Sequence, residues 1–316
     1  MKVLIVDTVH PILIEKLEEK GVQVHYDPHI KTEEAINSLP EYEGLIIRSK
    51  FKVTSEILSK AKKLRFIGRV GAGMENINTV LAQNKGIICL NSPEGNRDAV
   101  GEQALGMLLS LLNHLNQANH EVRQGIWNRE KNRGSELKNL TVGLIGYGNM
   151  GSAFAEKLTG LGCRIMAYDK YKFGFANDTV SEVTPEQLFE ESDVVSLHVP
   201  LTEETHYMAG HSFVKKFRKP IILINTARGP IVHTKEIVEE LKSGSVKAAA
   251  LDVLEFEKSS FEELHQSDEL PEYFRELAKM QNVILTPHIA GWTHESNRKL
   301  SEIIANKIIT TFNLQR

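Results

Sequence analysis

Apolar runs of strand length alternate with stretches of helical periodicity along almost the whole chain. That alternation is the mark of βαβ units and a parallel sheet. The first half reads as a strand over residues 2–6, a helix over 11–20 stopped by Gly21, and strands over 22–26, 44–48, 64–70 and 86–90. A helix over 54–62 lies among them, with Thr54 at its capping position. Beyond the polar segment 91–96, residues 99–115 read as one long apolar helix that crosses into a second domain. Residues 128–135 are polar and form a loop. A fresh alternation then predicts strands over 141–145, 163–169, 193–199, 220–225, 247–253 and 282–286, and a last helix over 295–313. The fold class is therefore α/β.

Composition narrows the function classes. A length of 316 residues suits about two domains. With 41% hydrophobic and 25% charged residues the chain is globular rather than disordered. A net charge of −3 gives no basic excess, so no nucleic-acid partner is expected. No apolar run approaches the roughly 18 residues of a membrane span, so no membrane partner is expected either. The start carries Asp7 and no small-residue cleavage site, so a signal peptide is not expected. The two cysteines, Cys89 and Cys163, sit in runs read as buried strands. They exclude a disulfide framework and suit the reducing cytoplasm.

The sharpest local signal is Gly146-Tyr147-Gly148-Asn149-Met150-Gly151, preceded by a strand and followed by a helical pattern. The next strand ends at Asp169, 18 positions after Gly151. That is the spacing of a dinucleotide-binding turn. Gly146 permits the tight turn, Gly148 lets backbone approach a pyrophosphate, and Gly151 lets helix and strand pack closely. The N–H groups near Asn149 and Met150 open the helix toward an anion. Asp169 accepts from ribose hydroxyls and repels a 2′-phosphate, which favours NAD over NADP; the adjacent Lys170 acts against that preference. A second glycine cluster, Gly68 to Asn76, includes Val70, Gly71, Ala72 and Gly73. It reads equally as an anion nest and as a packing turn.

Three polar groups fall at or just beyond predicted strand ends: Arg228, Asp252 with Glu255 and Glu257 following it, and His288. In a doubly wound sheet those ends line the ligand crevice. Arginine clamps a carboxylate bidentately. Histidine exchanges a hydroxyl proton near neutral pH, and a neighbouring carboxylate favours its protonated form. The trio suits hydride transfer at a 2-hydroxy acid. No metal is expected.

These blocks, with Asn91-Ser92-Pro93 and Asn96 and with Asn225 to Gly229, resemble the D-2-hydroxyacid dehydrogenases from about Arg48 to the C-terminus. The resemblance implies two Rossmann-like parallel-sheet domains with an inter-domain cleft, the cofactor domain (96–288) being inserted in a substrate domain (1–95 and 289–316). It implies Arg228 on the substrate carboxylate and carbonyl, His288 as general acid/base and Glu257 as its paired acid. It places Asp252, Val199, Pro200, Ala227 and Gly291 at the NAD, and the Val70 to Gly73 backbone on the substrate carboxylate. A homodimer is implied, through the cofactor domain and the long helices after Asn96.

Within the family the blocks look most like those of members acting on 3-phosphoglycerate, a step in serine biosynthesis. Arg48 and Lys50 then stand where a phosphate binds. The run Arg129, Lys131, Arg133 either reaches a partner's cleft or is a solvated loop. A glyoxylate or hydroxypyruvate reductase is the alternative enzyme; a non-catalytic NAD-binding corepressor is the alternative class. The sequence departs from the family pattern at Lys258 (usually proline), in the acidic insert 258–280, at Gly101-Glu102-Gln103 (more commonly Ala-Glu-His) and at Trp292, where a small polar residue is usual.

Overall fold

The computed structural model describes residues 1–257 and 270–314; Lys258 and the insert up to 269 lie outside the described residues. The chain divides into two compact units.

The first unit comprises residues 1–97 and 292–314. Its five strands are β1 (Lys2–Ile5), β2 (Gln23–Tyr26), β3 (Gly44–Ile47), β4 (Phe66–Arg69) and β5 (Ile88–Asn91). They form one parallel sheet in the order β2-β1-β3-β4-β5. Both faces are covered, which is why β1 and β3 read as unbroken apolar runs rather than alternating ones. One face packs Leu13, Leu17, Leu300, Ile304 and Ile308 from the helices Ile12–Glu18 and His294–Thr311. The other packs Ala35, Leu39, Ile57, Leu58 and Ala82. Because β5 is an edge strand, Cys89 is only half-buried, and Cys163 before its own strand is likewise; the expectation of two buried cysteines is corrected. Thr54 occupies the cap position of the helix Ser55–Lys60 with extended backbone, but its side chain makes no capping bond.

The second unit comprises residues 98–257 and 270–291. Its strands are β6 (Thr141–Ile145), β7 (Arg164–Tyr168), β8 (Val180–Glu182), β9 (Val194–Leu197), β10 (Ile221–Asn225), β11 (Val246–Leu251) and β12 (Val283–Leu285). All are parallel, in the order β12-β11-β10-β9-β6-β7-β8. The order reverses at β6, from which the chain runs outward to one edge and then to the other. Ligands of open parallel sheets bind at such a switch point, beyond the carboxyl ends of the strands.

Two elements differ from the sequence reading. β8 has three residues and sits at the edge, too short to show a pattern. The helix predicted over 99–115 is Arg97–Leu112, and a second helix that the sequence reading did not expect, Leu115–Arg123, follows once His114 has taken a left-handed conformation (φ 51°). Gly101 also finds its reason here. A Cβ at that position would lie 3.0 Å from the Ala153 carbonyl, so the glycine lets the helix Arg97–Leu112 approach the helix Asn149–Leu158 closely.

Candidate active site

The glycine turn between β6 and the helix Asn149–Leu158 is built by three contacts. Gly146 is left-handed (φ 94°), and a Cβ on it would meet the His198 carbonyl at 2.5 Å and the Val199 side chain at 3.1 Å. A Cβ on Gly151 would lie 2.0 Å from the Gly146 carbonyl, so only glycine lets the helix start this close to the strand. Around Gly148, by contrast, a Cβ would meet nothing within 4 Å. Gly148 is also the N-cap, and among the described residues no side-chain cap takes the first N–H groups of the helix. Open space faces uncapped donors at a ten-residue helix, a fit for the pyrophosphate of a dinucleotide.

Asp169, just after β7, is fastened to that turn. Its Oδ2 accepts from the Tyr147 N–H at 2.7 Å, and its Oδ1 from the N–H groups of Tyr171 (2.9 Å) and Lys172 (3.0 Å). The carboxylate thus ties the turn of β6 to the end of β7, where the sequence expected it to meet ribose. Val199 and Pro200 follow β9, and the Pro200 carbonyl accepts from the Thr205 hydroxyl at 2.6 Å.

Arg228, Asp252 and His288 come from the carboxyl ends of β10, β11 and β12, three adjacent strands. Asn225, fully buried, shapes the first loop by accepting from the Ala227 N–H (3.0 Å) and donating to the Arg228 carbonyl (2.9 Å). Arg228 donates to the Ala227 carbonyl at 2.6 Å. Gly229 brings this loop against the next: a Cβ there would lie 2.1 Å from the Leu254 carbonyl.

Glu257 is held at both oxygens. Oε1 accepts from the Leu254 N–H at 2.6 Å, and Oε2 lies 2.7 Å from His288 Nδ1. Glu255, two residues earlier, goes elsewhere: it bonds the Tyr207 hydroxyl and helps push that phenol up to about 12. Of the two candidate acids, Glu257 is the one beside the histidine.

His288 takes a left-handed backbone (φ 54°), a strain of order 1–3 kcal/mol for a residue other than glycine. Asp252 holds the strained turn. Its carboxylate, 1% exposed, accepts from the Thr286 hydroxyl (2.5 Å) and from the N–H groups of Ile289 (2.9 Å) and Ala290 (2.9 Å). Its own carbonyl accepts from the His288 N–H at 2.7 Å. All these contacts position His288. Gly291 closes the turn, and Ala227 lies half-buried on the neighbouring loop.

Two residues that sequence reasoning missed complete the unit's site. Thr226, between Asn225 and Ala227, has a buried hydroxyl with no hydrogen-bond partner among the described residues. His198, at the end of β9, lies under the glycine turn: its Nε2 pairs with the Ser196 hydroxyl at 2.9 Å and its ring packs on Phe154. Burial pulls this imidazole down from its usual value to about 4. The unfolded chain therefore binds a proton between about pH 6.5 and pH 4 that the folded chain refuses. Stability contributed by His198 is complete above pH 6.5 and is lost as pH falls toward 4, up to about 3 kcal/mol. Denaturant unfolding of the wild type and of His198→Gln between pH 7 and pH 4.5 checks this: the variant is expected to show the smaller loss.

The first unit carries the remaining predicted residues. Asp7 Oδ2 collects the N–H groups of Arg48 (2.6 Å), Ser49 (3.2 Å) and Lys50 (3.3 Å), an organising role the sequence reading did not assign. The Arg48 guanidinium lies 4.6 Å from the Trp292 ring centre and donates to the Thr8 carbonyl. The Lys50 ammonium donates to the carbonyls of Pro28 (2.6 Å) and Ile30 (3.1 Å). In the second glycine cluster the N–H groups of Val70 and Gly71 bond the carbonyls of Ile47 and Arg69, and the Ala72 carbonyl accepts from Asn91. Of the basic run in the second unit, Lys131 and Arg133 pair with Glu121 and Glu130 of the same chain.

A glycine turn at the switch point, an acid ending the next strand, and an Arg, Glu and His on the same strand-end edge define a dinucleotide-dependent dehydrogenase fold. Residues 105–290 match the family model for the NAD binding domain of D-isomer specific 2-hydroxyacid dehydrogenases, and the chain belongs to that family, with NAD as its cofactor. It is 35% identical over 311 residues to a D-3-phosphoglycerate dehydrogenase of Archaeoglobus fulgidus, covering 98% of this chain and 57% of that protein. It is 37% identical over 280 residues to a hydroxypyruvate reductase of Thermotoga maritima, covering 89% of this chain and 88% of that protein. Among solved structures it resembles a D-lactate dehydrogenase of Aquifex aeolicus complexed with NAD and lactic acid. That match has a TM-score of 0.82 and 29% identity and covers 99% of this chain and 95% of the other. The chain thus spans little more than half the length of the phosphoglycerate dehydrogenases it matches.

Proposed function

We propose that the chain catalyses NAD-dependent interconversion of a D-2-hydroxy acid and its 2-keto acid, with 3-phosphoglycerate and 3-phosphohydroxypyruvate as the preferred pair. The observation that carries the reaction class is the Glu257–His288 contact, on a turn held by Asp252, at the edge that also presents Arg228. NAD, when bound at the Gly146–Gly151 turn, supplies the acceptor or donor of hydride. The chain supplies the rest. Glu257 takes the Nδ1 proton of His288 as a hydrogen bond, which fixes the tautomer and assigns Nε2 to the substrate. In reduction His288 gives its proton to the carbonyl oxygen as that oxygen gains charge; in oxidation it takes the hydroxyl proton back. Arg228 pairs with the substrate carboxylate and steadies the carbonyl oxygen. Asp252 acts through His288, by holding its turn.

In the first unit Arg48 is proposed as the phosphate contact, and the loop 70–73, narrowed to the N–H groups of Ala72 and Gly73, as a further donor set for the same carboxylate. The match to D-3-phosphoglycerate dehydrogenases over 98% of this chain supports the phosphorylated substrate. A hydroxypyruvate reductase is the second reading, favoured by a relative matched over 88% of its own length. Arg48→Ala separates them. A lost charge-assisted contact to phosphate is worth about 1.5–3 kcal/mol, so the Michaelis constant for phosphohydroxypyruvate is expected to rise at least tenfold, while that for hydroxypyruvate stays within about twofold. Equal losses on both would assign Arg48 to the carboxylate or the fold, and the second reading would replace the first.

The assembly proposed is a homodimer through the helix Leu115–Arg123 and the turn after it. Leu115, Val122, Ile126 and Trp127 present apolar side chains to solvent there, with Trp127 78% exposed. The compartment proposed is the cytoplasm, consistent with two free cysteines. Among the described residues no helix is long and apolar enough to cross a membrane.

A further inference from the structure

Asp169 is followed at once by a cation, Lys170, and two residues on by another, Lys172. Cations in that stretch attract a 2′-phosphate and so oppose the preference that Asp169 sets. The structure shows how each is occupied. Lys172 donates to the Tyr147 carbonyl at 3.2 Å and lies over the rings of Tyr147 (5.0 Å) and Phe175 (5.8 Å). Lys170 is gripped by both oxygens of Glu204, at 2.8 and 2.6 Å. Lys170 follows β7 and Glu204 follows β9, and these are the two strands that flank β6. The pair therefore joins the two banks of the glycine turn.

We propose that Glu204 is a determinant of cofactor choice: by holding Lys170 it withholds from a 2′-phosphate the one cation adjacent to Asp169. Stability does not explain the pair. The two side chains are 53% and 62% exposed, and ion pairs so exposed contribute little to folding. Lys170 is nonetheless the residue that follows Asp169 in the chain, at the end of β7. With Glu204 neutral, Lys170 gains the freedom to reach an anion on the ribose, and the local charge rises by one unit.

The test is binding, read by calorimetry at low ionic strength, with NADH, NADPH, ADP-ribose and its 2′-phosphate as probes. Glu204→Gln is expected to tighten NADPH and 2′-phospho-ADP-ribose on the order of tenfold while NADH and ADP-ribose change less than about twofold. The gain is expected to shrink as salt rises past about 0.1 M, because both groups are exposed. Adding Lys170→Ala to Glu204→Gln is expected to abolish it. An unchanged NADPH constant in Glu204→Gln, an equal tightening of both cofactors, or a gain that survives Lys170→Ala would each overturn the proposal.

Discussion

Replacing His288 by alanine is expected to lower turnover by about 10²–10⁴-fold, the range that general acid–base catalysis supplies, with NADH affinity nearly unchanged. The separation follows from the architecture. His288 sits on the turn after β12, whereas the dinucleotide turn follows β6, with three strands between them in the sheet. The turn itself is held by Asp252 through backbone N–H groups and the Thr286 hydroxyl, which the substitution leaves in place. Alanine keeps the left-handed strain that the histidine already carries, and the melting temperature is measured beside the rate to show that the turn persists. A variant that binds NADH, stays folded and turns over at more than half the wild-type rate would remove His288 from the chemistry. Glu257→Gln is a milder form of the same test. It leaves the shape but weakens the bond that sets the tautomer, so kcat is expected to fall with little change in the Michaelis constant.

Arg228→Lys is expected to reduce kcat/KM for every 2-keto acid by about 10²-fold. Lysine keeps the charge and loses the planar fork. Each charge-assisted bond that fails to re-form costs about 1.5–3 kcal/mol, and a single ammonium cannot serve carboxylate and carbonyl together. Part of the loss belongs to binding, because the carboxylate is charged throughout the reaction. Part belongs to kcat, because the carbonyl oxygen gains charge only on the way to the transition state. Both parameters are therefore expected to worsen, in contrast to the Arg48→Ala pattern, where one substrate's Michaelis constant carries the effect. The loop's backbone stays as it is, since Asn225 shapes it through the Arg228 carbonyl and the Ala227 N–H rather than through the guanidinium. A lysine variant with undiminished kcat/KM would show that the carboxylate is held elsewhere.

The sheets were the legible part of the fold. Strands buried on both faces, such as 44–47 and 221–225, announce themselves as unbroken apolar runs. β8 did not, because three residues at a sheet edge carry no periodicity. The break at His114 was hidden for another reason: apolar residues continue through it, and a left-handed histidine leaves no compositional mark. In the site, residues with chemistry of their own, Arg228, Glu257 and His288, stand out as types at strand ends. Positioning roles are harder to read. Asp252 was noticed at its strand end, but its hold on the His288 turn, like the loop-holding roles of Asn225 and Asp7, comes from collecting backbone N–H groups or carbonyls of loops whose paths are fixed only in three dimensions. The carbonyl partners of Lys50 were equally out of sight, since Pro28 and Ile30 lie 22 and 20 positions away in the chain.

The most direct measurement of the central claim is NADH oxidation by the purified chain with phosphohydroxypyruvate, hydroxypyruvate, glyoxylate, pyruvate and 2-oxoglutarate supplied in turn, the configuration being assigned for every product that is chiral. The account predicts NADH-dependent reduction to the D-hydroxy acid, with the highest kcat/KM on phosphohydroxypyruvate. Reduction to the L-isomer, or no 2-keto acid accelerating NADH oxidation by a folded, NADH-binding chain, would contradict it.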